Sequence, residues 1–105
     1  MVDSTARLSV DLDDAHVTIV GDVDASTCPS LASSLDPLPG TSGDIRLDVS
    51  GVGFIDSSGL RIIIGVHQRA AELGRKVLIE YPSASFQRIL DVSGLTGMLH
   101  VIHPR

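Results

Sequence analysis

Between Gly53 and Leu60 the chain reads Gly-Phe-Ile-Asp-Ser-Ser-Gly-Leu, and its reactive groups gather in Asp56, Ser57 and Ser58. An apolar run ends there and an amphipathic one begins, so a carboxylate and two hydroxyls fall at the start of a helix. The first turn of a helix leaves several backbone N–H groups unpaired and carries about half a positive charge. Asp56 or Ser57 can cap those amides, Gly59 permits close approach of another backbone, and a hydroxyl in the first turn stays within reach of a kinase. Two readings stand side by side: an ordinary strand-to-helix turn with a capping residue, or a serine whose phosphorylation the helix terminus tolerates.

Other chemistry has less support. A hydrolase nucleophile elbow places Gly two residues before and two after its serine, whereas Ser57 is flanked by Ile55 and Gly59. His16, His67, His100 and His103 are scattered, and none has an evident way to act as base for Ser57, so no catalytic residue is assigned. Asp22, Asp24 and Asp56 read as a solvated acidic rim rather than a cation site, because two carboxylates from one strand end point to opposite faces unless the turn bends. No phosphate-binding loop pattern is present; neither metal nor cofactor is expected.

The elements that position the segment follow from periodicity. Leu8, Val10 and Leu12, then Val17, Ile19 and Gly21, alternate at period two about Asp13-Asp14-Ala15, which predicts a β-hairpin. Cys28, Leu31, Ala32 and Leu35 recur at helical spacing, and Pro29 requires the helix to start near 25–27. That pattern makes Cys28 a buried structural thiol. Residues 37–43 are rich in breakers and predict a loop. Ile45, Leu47 and Val49 make a strand whose end delivers Asp56 and Ser57. The following helix, about four turns long, carries Gly59, Ile62, Ile63, Val66, Ala70 and Leu73 as its stripe and stops at Gly74. Val77 to Ile79 form a strand, and Ser83 caps a helix bearing Ala84, Phe86, Ile89, Leu90 and Val92. Met98 to Ile102 form a last strand.

The order β-β-α-β-α-β-α-β describes an α/β domain whose last four strands are parallel, with the first added as an antiparallel edge. Its functional edge lies beyond the carboxyl ends of the parallel strands, where Asp22, Asp24, Asp56, Ser57 and the Ser83–Ser85 turn should gather. At 105 residues one domain, 1–105, is expected. The net charge of −5, from 8 Lys plus Arg against 13 Asp plus Glu, argues against direct nucleic-acid binding. No apolar run approaches the roughly 20 residues of a membrane helix. Met1-Val2-Asp3-Ser4-Thr5 lacks the order of a signal peptide, so a cytoplasmic location without membrane association is expected.

Taken together, Gly21-Asp22-Val23-Asp24, Leu47-Asp48-Val49-Ser50, Phe54 to Leu60 and Asp91-Val92-Ser93-Gly94-Leu95 resemble, in order along nearly the whole chain, the STAS family. They most resemble its stand-alone anti-sigma factor antagonists. The resemblance implies a STAS-like fold with a mostly parallel mixed sheet. It also implies a protein that, unphosphorylated, binds an anti-sigma factor with serine kinase activity and so frees a sigma factor. Phosphorylation of the serine directly after the aspartate, Ser57 by position with Ser58 as the alternative, ends the interaction, and a serine phosphatase reverses it.

The partner surface implied is Asp22, Asp24, Asp56, Ser57, Ser58, Gly59 and Leu60, with Asp56 holding the turn or orienting the serine. A monomer or weak dimer is expected. Many relatives continue into a C-terminal helix where this chain ends at Arg105, so one sheet or helix face is expected to be less covered. The rival role within the family is a scaffold or adaptor subunit, of stressosome type or accessory to transport, without a phospho-switch. Few aromatic residues, Phe54, Tyr81 and Phe86, suggest an interface built on aliphatic and backbone contacts.

Overall fold

The computed structural model describes residues 8–13, 16–38, 43–94 and 99–102. Eight elements follow in the expected order: β1 (Leu8–Asp13), β2 (His16–Val23), α1 (Cys28–Leu35), β3 (Ile45–Ile55), α2 (Ser57–Glu72), β4 (Val77–Glu80), α3 (Ala84–Ser93) and β5 (His100–Ile102). The sheet runs β1-β2-β3-β4-β5; β1 pairs antiparallel with β2 and every other pair is parallel. The expected starts at Arg7 and Met98, the centre of the predicted hairpin turn, most of the 37–43 loop and Leu95 lie outside the described residues.

Because the strand order never reverses, right-handed crossovers carry α1, α2 and α3 to one face of the sheet. Burial agrees. Val17, Ile19, Val23, Ile45, Leu47, Val49, Val77 and Ile79 are buried on the helix side with Leu31, Leu35, Ile63, Val66, Phe86 and Leu90. On the other face Thr18, Asp48 and Leu78 are half-buried, and Val20 and Arg46 are exposed. Parallel strands are usually covered on both faces; among the described residues no helix covers this one. Its apolar exposure is limited by an ionic cluster. Glu80, only 3% exposed, accepts Arg46 Nε at 2.8 Å and Arg46 Nη2 at 2.7 Å, and its other oxygen lies 3.0 Å from His16 Nε2.

The central strand is longer than alternation predicts. Its pairing with β2 steps from Thr18↔Asp48 to Val20↔Gly51, and from Gly21↔Val52 to Asp22↔Phe54, so β3 carries two extra residues as bulges. The bulges keep Val49, Val52 and Ile55 inward at spacings of three, where strict alternation would turn Val52 to solvent. At Gly51 an added Cβ would come within 2.9 Å of Val20 Cγ2.

Five side chains differ from what the spacing suggests, one of them Ala84, the exposed first residue of α3. Leu73 is 57% exposed because the helix ends at Glu72 and the backbone at Leu73 has left the helical path. Val92 is 78% exposed, on the side of α3 away from Phe86 and Leu90. Leu38, in the predicted loop, is buried. Cys28 is half-buried rather than buried, since it is the first residue of α1 and not part of its inner stripe.

Candidate functional site

The carboxyl ends of β2 and β3, the start of α2 and the start of α3 meet at one edge. Asp56 N donates to Val23 O at 3.1 Å, tying the turn after β3 to the end of β2. Asp56 is the N-cap of α2 with extended backbone, and its Oδ1 accepts from Ser58 N at 3.0 Å and Gly59 N at 3.2 Å. The same oxygen accepts from Ser58 Oγ at 2.5 Å. That hydroxyl bond, helped by the two amides, holds the Asp56 carboxyl below its usual range against burial and the nearby Asp24 charge.

The two serines are thereby separated. Ser58 is half-buried, its hydroxyl donates to Asp56, and Cys28 Sγ approaches it at 3.6 Å. Ser57, the first residue of α2, is exposed, and its hydroxyl has no hydrogen-bond partner among the described residues. Asp56 therefore holds the turn and orients Ser58, and it leaves Ser57 unconstrained.

Gly59 sits where α2 crosses the end of β2. A Cβ there would stand 2.3 Å from Val23 Cγ1 and 3.3 Å from Ile55 Cγ1. Leu60, placed on the partner surface by resemblance, is 2% exposed and packs into the core. Both lie buried beneath the turn.

The acidic rim forms, but its members are engaged. Asp24 Oδ1 accepts from Ser26 N, Ser26 Oγ and Thr27 N at 2.9, 2.6 and 3.3 Å, closing the turn into α1. Thr27 Oγ1 donates to Asp22 O at 2.9 Å. Asp22 Oδ1 lies over Gly53, 3.5 Å from where a Cβ would stand. Among the described residues no group of three or more His, Cys, Asp and Glu could hold a metal ion. His16 is engaged by Glu80, and the His67 ring meets that of His100 edge-on at 6.3 Å.

The third turn is fastened to the bulged end of β3. Ser83 Oγ caps α3 by accepting from Phe86 N at 3.2 Å and donates to Val52 O at 2.6 Å. Ser85 Oγ donates to Gly53 O at 2.8 Å. Beside this seam lies an open groove of about 480 Å³ lined by Phe54, Ile55, Ala84, Ser85, Arg88, Ile89 and Val92. Phe54 is 48% exposed at this groove. Sequence reasoning placed the Ser83–Ser85 turn at this edge but missed Glu80, whose partners lie 34 and 64 residues away in the chain.

Comparisons with known proteins bear on the family and the fold. Residues 6–101 match the family model described as "Mlab, STAS domain". The chain is 28% identical over 88 residues to the anti-sigma-B factor antagonist of Bacillus subtilis (strain 168), covering 84% of this chain and 81% of that protein. An anti-sigma factor antagonist from Mycobacterium paratuberculosis superposes with a TM-score of 0.74 at 22% identity, over 93% of this chain and 85% of that one. The unphosphorylated form of the antagonist SpoIIAA superposes at 0.71 and 16% identity, over 90% and 86% of the two chains. The phosphorylated form of the Bacillus protein gives 0.66 and 17%, over 90% and 89%. At these identities the structural likeness speaks for the fold.

Proposed function

The chain belongs to the STAS domain family, and from that premise we propose that it is an anti-sigma factor antagonist working as a phospho-switch. Unphosphorylated, it binds an anti-sigma factor with serine kinase activity and so frees a sigma factor; phosphorylation of Ser57 ends the interaction, and a serine phosphatase restores it. The observation that carries the site assignment is the contrast between the two serines. Ser57 Oγ is exposed and unpartnered among the described residues, whereas Ser58 Oγ is held by Asp56.

The physics of release follows from the surroundings. A phosphoserine adds about −1.5 to −2 charge, and at a helix N-terminus the fold accepts it without unfolding. Asp22, Asp24 and Asp56 make that edge acidic already. A phosphate enlarges the anionic patch and adds a desolvation penalty whenever a partner covers it. Charge and bulk at the interface, not a rearranged fold, break the complex. No helix of the described residues is long and apolar enough to cross a membrane; the cytoplasmic location and the monomer or weak dimer belong to the proposal.

The test passes source-cell lysate over immobilised wild type, Ser57→Ala and Ser57→Glu, identifies the retained proteins, and treats the wild-type eluate with Mg-ATP. An ATP-binding kinase held by wild type and Ser57→Ala, lost by Ser57→Glu, and placing phosphate on Ser57 supports the reading. Retention of self-copies or transport subunits alone, with no phosphate gained, replaces it with a scaffold or adaptor role.

A further inference from the structure

Asp56 occupies the Ser58 and Gly59 amides, and Leu60 N donates to Asp56 O at 3.1 Å. Most donors of the first turn of α2 are thus taken before any phosphate arrives. A phosphate on Ser57 must find its counter-charge in a side chain, among acidic neighbours.

One cation is placed for that purpose. Arg61 follows Ser57 by four residues on α2, so the two share a helix face with Cβ atoms about 5–6 Å apart. Both are exposed, and Arg61 makes no hydrogen bond or ion pair among the described residues. Side chains on a helix lean toward its N-terminus, which brings a guanidinium at this position back over the preceding turn. An anion N-terminal to a cation at this spacing is the favourable orientation, and the planar guanidinium matches phosphate oxygens two at a time.

We infer that Arg61 is the intramolecular counter-ion of the phosphorylated state, folding over the Ser57 phosphate and holding it against the surface of α2. The inference rests on Ser57 as the modified residue. It gives the switch a second consequence: phosphorylation adds negative charge and also withdraws the exposed guanidinium beside it, so a partner meets a rim changed at two positions. Asp22, Asp24 and Asp56 repel the phosphate whether or not Arg61 is present, so the contribution of Arg61 appears as a difference between variants.

The experiment installs phosphoserine at position 57 of the full chain during synthesis, which makes it independent of any kinase. Phosphorus NMR follows the second ionisation of the phosphate at low salt in the wild-type background, in Arg61→Gln and in Arg88→Gln, a control on α3. The expected result is a midpoint lower by roughly 0.2–0.4 pH units with Arg61 present than in Arg61→Gln, the i,i+4 coupling converted at about 1.36 kcal/mol per unit. The difference should shrink in added salt, and Arg88→Gln should match wild type. Equal midpoints for wild type and Arg61→Gln overturn the inference, as does an Arg61→Gln effect confined to partner binding by the unphosphorylated form. Thermal melts of the unphosphorylated proteins show that both variants fold. If the midpoints differ but the kinase places phosphate elsewhere, the reading of Ser57 fails and the Arg61 geometry stands.

Discussion

Asp56 Oδ1 accepts the hydroxyl of Ser58 at 2.5 Å and the amides of Ser58 and Gly59 at 3.0 and 3.2 Å. One carboxylate oxygen thus caps α2 and takes the second serine out of play, and the first serine is left in solvent. Adjacent residues of the same type acquire different chemistry from a single N-cap.

Ser58→Ala should leave phosphorylation of Ser57 intact while losing the hydroxyl bond to Asp56, at a cost of about 1 kcal/mol. Urea unfolding and phosphosite mapping on the same variant check both halves. Phosphate lost from Ser58→Ala but retained by Ser57→Ala would reverse the assignment.

Asp56→Ala removes the N-cap of α2 and should cost about 1 kcal/mol, up to about 2. The pH dependence follows from the lowered folded-state carboxyl. The stabilisation is fully present above the unfolded value of 3.8 and is lost as pH falls through the lower folded value. Asp56→Asn keeps a capping oxygen and should flatten that acid limb in denaturant melts run between neutral pH and about pH 2. An unchanged acid limb would show that another carboxylate dominates it.

Gly59→Ala forces a methyl to within 2.3 Å of Val23 Cγ1 and should destabilise by about 1–3 kcal/mol. Gly51→Ala meets Val20 Cγ2 at 2.9 Å, but Val20 is half exposed and can turn aside, so its cost should be smaller. Thermal melts of the two variants rank them.

Arg46→Met leaves the buried Glu80 carboxylate with His16 alone and should cost about 1–3 kcal/mol. Changing Arg46 and Glu80 together to Met should recover much of that loss, because no unpaired charge remains inside. A double variant as unstable as the sum of the singles would mean that the pair itself, not the stranded charge, carries the stability.

The order of elements was legible because apolar spacing changes from two to about 3.6 wherever a strand gives way to a helix. The start of α2 was legible for the same reason, together with its capping residue. Ser50, Gly51 and Gly53 hid the true length of β3: they resemble a loop in composition, and only pairing with β2 reveals the bulges that keep Val52 and Ile55 inward. The separate fates of Ser57 and Ser58 could not be read from Asp-Ser-Ser-Gly, since they depend on where the Asp56 carboxylate turns. Glu80 escaped notice because Arg46 and His16 lie 34 and 64 residues away. Resemblance identified Leu60 as a site position, and the structure places its side chain beneath the site.

The proposed switch is measured most directly by titrating an anti-sigma factor with serine kinase activity into this chain with Ser57 unmodified and with phosphoserine at the same position. Affinity should be at least about tenfold weaker, roughly 1.4 kcal/mol, for the phosphorylated chain, with the two forms melting as the same folded domain. Equal affinities for the two forms would contradict the proposed switch.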